Sequence, residues 1–202
     1  MNLVYYLQNN KDIKFNQKKN IICWRGSTTG KRNNSANRFI LVENYYNHKN
    51  MNIGFSSNSI INNNEKVGIT QNIYNYTEKL KYIKPAMKIN EILKYKFLIS
   101  VEGNDVASGL KWMLYSNSVV LMAQPRNFSW IMEDKLIPNR HFILLKDDYS
   151  DLNEKYEWCL KNLDKCEEIS KNATKYIEQF LDKELEKKIE IIKRYCNNIQ
   201  II

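Results

Sequence analysis

The stretch Phe97-Leu-Ile-Ser-Val101, followed by Glu102-Gly-Asn-Asp105 and later by Ser118-Val-Val-Leu-Met122, decides the fold. Neither run alternates between apolar and polar residues as a half-exposed strand does. Such continuous apolar runs are typical of strands that are buried on both faces. Between them, residues 106–116 have the apolar spacing of a helix. A buried strand, a helix and a second buried strand predict a parallel sheet that is covered by helices on both sides.

The same alternation extends toward both ends of the chain. Residues 21–24 and 51–55 are expected strands, and residues 37–46 have the spacing of a helix. The remaining expectations in this part are helices over residues 77–83, 87–95 and 128–136, a surface loop over 56–64 and a strand over 141–145. The sequence therefore predicts an α/β fold with a Rossmann-like parallel sheet.

The last quarter of the chain has a helical pattern only. Asp151-Leu-Asn-Glu154 has the form of a capping box at a helix start. Three apolar stripes follow at helical spacing: Leu152, Tyr156, Cys159, Leu160 and Leu163; then Ile169, Ala173, Ile177 and Phe180; then Leu185, Ile189, Ile192 and Cys196. We expect residues 1–150 to form the sheet domain and residues 151–202 to form helices that pack on it.

Composition limits the classes of protein that need to be considered. The 202 residues are 43% hydrophobic and 26% charged, which excludes a disordered tail and a membrane-spanning protein. The first residues lack the basic and apolar regions of a secretory signal, and the four cysteines form no Cys-x-x-Cys pair. With two histidines in the chain, no zinc cluster is expected. These features favour a cytoplasmic protein with reduced thiols.

Positive charge is concentrated in the first half of the chain. Residues 1–100 carry 16 Lys and Arg against 5 Asp and Glu, whereas the whole chain has a net charge of +9. A positively charged half of the chain attracts phosphates in nucleotides, glycans or nucleic acid. A general bias of the sequence toward Lys and Asn produces the same excess of positive charge. Charge is the sole support for nucleic-acid binding, so no nucleic-acid partner is expected.

Two polar loops follow predicted strands, where ligands bind in parallel α/β sheets. The first is Trp24-Arg-Gly-Ser-Thr-Thr-Gly-Lys-Arg32, and the second is Glu102-Gly-Asn-Asp-Val-Ala-Ser-Gly-Leu-Lys111. Their glycines, hydroxyls and cations suit a phosphate, although ordinary loop and helix-cap chemistry explains the same residues. Asp147 and Asp148 could ligate a metal, but a loop before a capped helix explains them better, so no metal is expected.

The order of these motifs resembles glycosyl transferase family 90. That family contains lipopolysaccharide-modifying and capsule-associated enzymes and protein O-glucosyltransferases. The resemblance rests on the two loops, on Ser116-Asn-Ser-Val-Val-Leu-Met122, on Phe128-Ser-Trp-Ile-Met-Glu133, on Lys146-Asp-Asp-Tyr-Ser-Asp-Leu152 and on Asn172-Ala-Thr. It implies the C-terminal, donor-binding half of a two-Rossmann-domain glycosyltransferase, which uses a nucleotide-diphosphate sugar, usually UDP-linked, and no metal or other cofactor.

The resemblance also implies the residues that would bind the donor. They are Arg25, Gly26, Ser27, Thr28, Gly103, Asn104, Asp105, Val106, Ala107, Ser108 and Lys111. Arg25 and Lys111 would offset the diphosphate charge, while the others would contact phosphate, ribose or sugar. On purely structural grounds, Arg25 could instead pair with a carboxylate such as Glu102. Gly109 stands where many relatives have Arg.

The family normally has an acceptor-binding half, with an Asp as base, upstream of the Trp-Arg-Gly loop. The 23 residues before Trp24 hold no match to it, so the resemblance identifies no catalytic base. The sequence therefore predicts a glycosyltransferase donor domain that acts on lipopolysaccharide or another surface glycan. It is either a fragment of a longer enzyme or a split gene product whose acceptor half is a separate polypeptide. The alternative is a non-catalytic remnant or subunit that binds nucleotide sugars. At most, peripheral membrane association is expected.

Overall fold

The computed structural model describes residues 12–30, 37–57 and 81–198, with side chains described as far as residue 181. Its centre is a six-stranded sheet in which every pair of neighbouring strands is parallel. In chain order the strands are β1 (Lys19–Gly26), β2 (Met51–Ser56), β3 (Ile83–Lys84), β4 (Tyr95–Ile99), β5 (Val119–Met122) and β6 (Ile143–Leu144). The predicted Rossmann-like parallel sheet is confirmed.

Helices connect and cover these strands. They are α1 (Arg38–Tyr45), α2 (Ile89–Ile92), α3 (Leu110–Tyr115), α4 (Leu152–Lys161) and α5 (Leu163–Asn198), with 3-10 turns at Phe15–Gln17 and Glu133–Lys135. In the described part of the chain, no helix is both long and apolar enough to cross a membrane.

Two apolar layers form the core, one on each face of the sheet. Along β1, Ile22 and Trp24 belong to the layer that α1 and α4 cover, whereas Cys23 belongs to the layer under α3 and α5. All three side chains are buried. Burial on both faces explains why the strands are apolar throughout rather than alternating, as predicted.

The strand order is β3-β2-β1-β4-β5-β6. From the central pair, the first half of the chain extends the sheet through β2 and β3, and the second half extends it in the opposite direction. The register pairs Ile22 with Phe97 and Cys23 with Leu98. Such a reversal opens a crevice beyond the carboxyl ends of the two central strands, which is where ligands of doubly wound sheets bind.

The helix predicted over residues 106–116 begins later, at Leu110. Residues 104–109 form bends and a turn instead, in which the Leu110 amide donates to the Ala107 carbonyl. The Asn104 side chain, which belongs to this segment, accepts a hydrogen bond from the Gly30 amide on the neighbouring loop. The first turn of the expected helix is therefore replaced by a loop that faces the crevice.

The segment 128–136 is not an α-helix, contrary to the prediction. The Glu133 carboxylate accepts hydrogen bonds from the amide and hydroxyl of Ser129, and Met132 takes a left-handed backbone conformation. These contacts close a tight turn before the short 3-10 segment. Three apolar side chains of the segment, Phe128, Trp130 and Met132, are consequently exposed.

Other expectations differ in detail. Asp151 precedes α4 as predicted, but its side chain accepts from the Lys146 amide and makes no hydrogen bond to the helix start. The residue pair Ile83–Lys84 is a strand rather than the end of a helix. Residues 58–80, which contain most of the predicted loop and helix there, lie outside the described residues, as do the side chains of the last predicted stripe.

A matched pair of substitutions tests the burial pattern. Phe97 is fully buried in β4 and packs edge-on against Tyr156, with the ring centroids 5.9 Å apart, whereas the Phe128 side chain is 58% exposed. Phe97→Ala should lower the free energy of unfolding by about 3–5 kcal/mol because it leaves a cavity. Phe128→Ala should change it by about 0.5 kcal/mol or less. Urea denaturation of both variants measures the difference, and equal losses would contradict the described core.

Candidate functional site

The two predicted loops meet at the crevice between β1 and β4. The Gly30 amide donates a 3.1 Å hydrogen bond to the side-chain oxygen of Asn104. Gly103 lies so close to the first loop that a Cβ there would come within 3.0 Å of the Thr29 hydroxyl. Gly30 itself has a φ of 100°, which a glycine adopts without strain. The residues that these loops contribute are thus brought together.

Arg38, the first residue of α1, lies between these loops. Its Nη1 donates to the Ser27 carbonyl at 3.2 Å, to the Ser27 hydroxyl at 2.8 Å and to the Thr29 hydroxyl at 2.6 Å. Nη2 donates to the Val101 carbonyl, at 3.4 Å, where the second loop begins. One guanidinium therefore spans the crevice from one loop to the other.

The Arg38 guanidinium has no carboxylate partner among the described residues. Burial lowers its pKa to about 10, so the group remains protonated at neutral pH. Its Nε is buried without a hydrogen-bond partner in the described structure, and no carboxylate there forms an ion pair with it. Because burying an uncompensated charge is costly, the arrangement suits an anion in the crevice.

Sequence analysis did not identify Arg38. A signal was present nonetheless: the residue occupies the first position of a helix, where the dipole disfavours a cation and acidic side chains are preferred. The cap residue Asn37 satisfies the amides of Phe39 and Ile40 with its own side chain. The cation at this position is therefore not needed to begin the helix.

Arg25, the predicted diphosphate ligand, is directed elsewhere. Its guanidinium donates to the carbonyls of Trp24, Asn52 and Pro85 and to the side-chain oxygen of Asn52, at 2.6–3.2 Å. Its neighbours are thus β2 and the segment after β3. The alternative partner Glu102 is engaged with the amides of Arg126 and Asn127 instead. Arg25 ties three parallel segments together through neutral acceptors.

Lys111 contacts the segment 128–136. Its Nζ lies 4.0 Å from the Glu133 carboxylate and 5.6 Å from the centre of the Trp130 ring. The described contacts of Arg25 and of Lys111 share no residue, and whether the two cations bind a diphosphate stays a prediction.

The other predicted donor-binding residues lie on the two loops. A Cβ at Gly26 would come within 2.5 Å of the Trp24 ring, so this glycine makes room for the indole. The remaining residues differ in exposure: Thr28 and Ala107 are buried, Ser27, Gly103 and Val106 are half-buried, and Asn104, Asp105 and Ser108 are exposed. Whether they contact a donor stays a prediction.

A second polar recess adjoins the crevice beyond β4 and β5. It holds a cavity of about 20 Å³, the size of one water molecule, and Glu102, Arg126, Glu133 and Tyr149 line it. Tyr149 has a left-handed backbone with a φ of 58°, and burial raises the pKa of its phenol. A bulky residue held in this conformation at a cleft is typical of a functional site. Sequence reasoning missed Tyr149 because nothing in its spacing reveals a positive φ.

No group of three His, Cys, Asp or Glu residues in the described ranges is arranged to hold a metal ion. The expectation that the site works without a metal stays a prediction.

The sheet order and the polar crevice define an α/β protein of the Rossmann-like class. Among solved structures, the chain is similar to a glycosyltransferase from Rickettsia africae ESF-5, with a TM-score of 0.53, 13% identity and coverage of 98% of this chain and 52% of that one. A sucrose-phosphate synthase from Thermosynechococcus elongatus gives a TM-score of 0.51 at 10% identity, covering 96% of this chain and 48% of that one. At these identities the likeness concerns the fold alone.

The sequence comparison is more specific. The model of glycosyl transferase family 90 matches residues 2–199. The chain is 30% identical over 190 residues to O-glucosyltransferase LpsA of Dichelobacter nodosus, covering 93% of this chain and 53% of that protein. It is 28% identical over 108 residues to protein O-glucosyltransferase 3 of Rattus norvegicus, covering 52% of this chain and 21% of that protein.

The chain therefore belongs to glycosyl transferase family 90, as its motifs predicted. It spans about half the length of LpsA and of the Rickettsia glycosyltransferase.

The placement of Arg25 predicts a structural role for its guanidinium. Arg25→Ala removes a charged donor from four neutral acceptors, so the free energy of unfolding should fall by about 2–3 kcal/mol. The affinity of the folded protein for UDP should change by about twofold or less. Urea denaturation and calorimetric titration measure the two quantities. A large loss of UDP affinity with unchanged stability would return Arg25 to the donor site.

Proposed function

We propose that this chain is the donor-binding half of a glycosyltransferase, which seats the diphosphate of a nucleotide sugar in the crevice at Arg38. The observation that carries the proposal is the buried guanidinium of Arg38, which is held between the two loops and has no carboxylate partner among the described residues. Its position at the reversal point of the sheet, where such folds bind nucleotides, supports the same assignment.

The contacts of Arg38 suit charge stabilisation during sugar transfer. As the bond between the sugar and the diphosphate breaks, negative charge increases on the departing oxygens. Ser27 and Thr29 fix Nη1 in advance, so no reorganisation is needed when that charge develops. Among the described residues, Nε has no hydrogen-bond partner and Nη2 has one, the Val101 carbonyl, so these two nitrogens are the proposed donors to phosphate oxygens.

The finer assignments follow from the family. We propose a UDP-linked sugar as the donor, with glucose as the first candidate because the named relatives are O-glucosyltransferases. Lipopolysaccharide or another surface glycan is the proposed acceptor class. Cys23, Cys159 and Cys166, the cysteines whose side chains the structure describes, are free thiols, which supports a cytoplasmic location where nucleotide sugars are supplied.

The acceptor half remains to be assigned. Because the chain spans about half the length of its relatives, the acceptor site is proposed to come from further sequence or from a separate polypeptide. The same observation favours the second candidate function, a nucleotide-sugar-binding module without turnover. Sugar transfer by residues 1–202 alone, assayed with UDP-glucose and a panel of glycans, would eliminate the binding-module function.

The proposed function makes a prediction about the charge of Arg38. Arg38→Gln should weaken UDP binding by about 1.5–3 kcal/mol, since hydrogen bonds from a charged donor are lost. Arg38→Lys should recover part of the affinity because it restores the charge without the planar fork. Isothermal titration calorimetry measures both.

The matched control is Lys171→Gln, which removes an exposed cation paired with Glu167 and should leave UDP affinity unchanged. Equal affinities of the wild type, Arg38→Gln and Arg38→Lys would contradict the proposal. Thermal unfolding of each variant establishes that the titrated protein is folded.

The proposed function also makes a prediction about the removal of metal ions. If a guanidinium and loop amides neutralise the diphosphate, EDTA should change the affinity for UDP by about twofold or less relative to buffer with Mg²⁺. Titrations in the two buffers test this. A requirement for Mg²⁺ would indicate that the diphosphate is held as a metal complex and would overturn the metal-free assignment.

A further inference from the structure

A groove lies beside the edge strand β6, where α4 meets α5. Its volume is about 690 Å³, which falls within the range of small-molecule sites. Its walls come from the turn before β6, from the outer face of α4 and from the first turns of α5. Residues from all three segments line it.

The charged residues of the groove are unpaired within the described part of the chain. Arg140, Lys155 and Lys165 supply three cations, and Glu154 and Glu168 supply two carboxylates. None of these five forms an ion pair there, although other surface charges such as Lys171 and Glu167 do. Positive charge is thus in slight excess, with carboxylates close by.

Trp158 adds an aromatic surface to this polar setting. Its side chain is 37% exposed, although it lies on the same helix as the buried residues Tyr156 and Cys159. Asn139 and Asn172 contribute side-chain amides to the groove. An amide both donates and accepts, whereas the indole offers a flat apolar face with one N–H donor.

This combination matches the chemistry of a sugar chain. A pyranose ring presents a C–H face that packs on an aromatic ring, and an edge of hydroxyls that pairs with amides and carboxylates. The surplus cations add a place for an acidic substituent such as a phosphate. Two carboxylates in the wall would repel a polyanion such as nucleic acid, so a chain of mixed hydroxyls and sparse negative charge fits better.

The groove is separate from the donor crevice. Asn139 and Arg140 precede β6, so they lie toward the amino end of the sheet, whereas the Arg38 crevice lies beyond the carboxyl ends of β1 and β4. Two strands of the sheet, β4 and β5, separate β6 from β1. A molecule in the groove therefore does not occupy the space of the donor.

We infer that this groove binds an acidic oligosaccharide, with a sugar ring stacked on Trp158 and a negative substituent near Arg140, Lys155 and Lys165. The binding itself rests on the geometry of the groove. Its use to hold a distant part of an acceptor glycan rests on the proposed function.

The test uses the full chain and a defined probe, the delipidated core oligosaccharide of lipopolysaccharide that carries phosphate groups. Calorimetry in the presence of saturating UDP should give saturable binding, and the dephosphorylated oligosaccharide should bind more weakly. Trp158→Ala and Lys165→Gln should each reduce the affinity by about tenfold. Trp130→Ala, which removes another exposed tryptophan, and Lys171→Gln should leave it unchanged.

Several outcomes would overturn the inference: no saturable binding at millimolar oligosaccharide, equal affinity in Trp158→Ala, or competition between the oligosaccharide and UDP. If inorganic phosphate bound as tightly as the oligosaccharide, the groove would be a simple anion site. UDP affinity, measured separately in Trp158→Ala, should not change, so failure of the groove and failure of the donor site are distinguishable.

Discussion

The parallel pairing of β1 with β4 is the contact on which the rest of the structure depends. Ile22 faces Phe97 and Cys23 faces Leu98 in strands that are buried on both faces. Because the chain builds outward from this pair in opposite directions, the connections after β1 and after β4 diverge and leave a crevice between them. Arg38 and the hydrogen bond from Gly30 to Asn104 then hold the two loops at a fixed separation.

Periodicity predicted the buried elements because burial on two faces leaves a strong signature in the sequence. The strands β1, β2, β4 and β5 were found within two residues at each end, and α1 and α4 were also placed correctly. The failures lie where side-chain contacts decide the backbone. The segment 128–136 has helical spacing, but the hydrogen bonds from Ser129 to Glu133 impose a turn. Such contacts cannot be read from spacing alone.

The sequence identified the two loops of the candidate site but did not identify Arg38. The strand ends identified the two segments, because a parallel sheet brings the carboxyl ends of its central strands together. Which cation reaches the crevice depends on local competition for acceptors. Arg25 finds carbonyls on β2 and after β3, and Lys111 finds Glu133, whereas Arg38 meets hydroxyls of the first loop. Cations of equal charge in one sequence thus meet different acceptors.

Both edge strands of the described sheet, β3 and β6, are only two residues long. An edge strand exposes unpaired amides and carbonyls, and a long flat edge is a template for pairing with another molecule. Two residues offer too few hydrogen bonds to begin such pairing. The described sheet therefore has two short edge strands that offer little template for sheet-to-sheet aggregation.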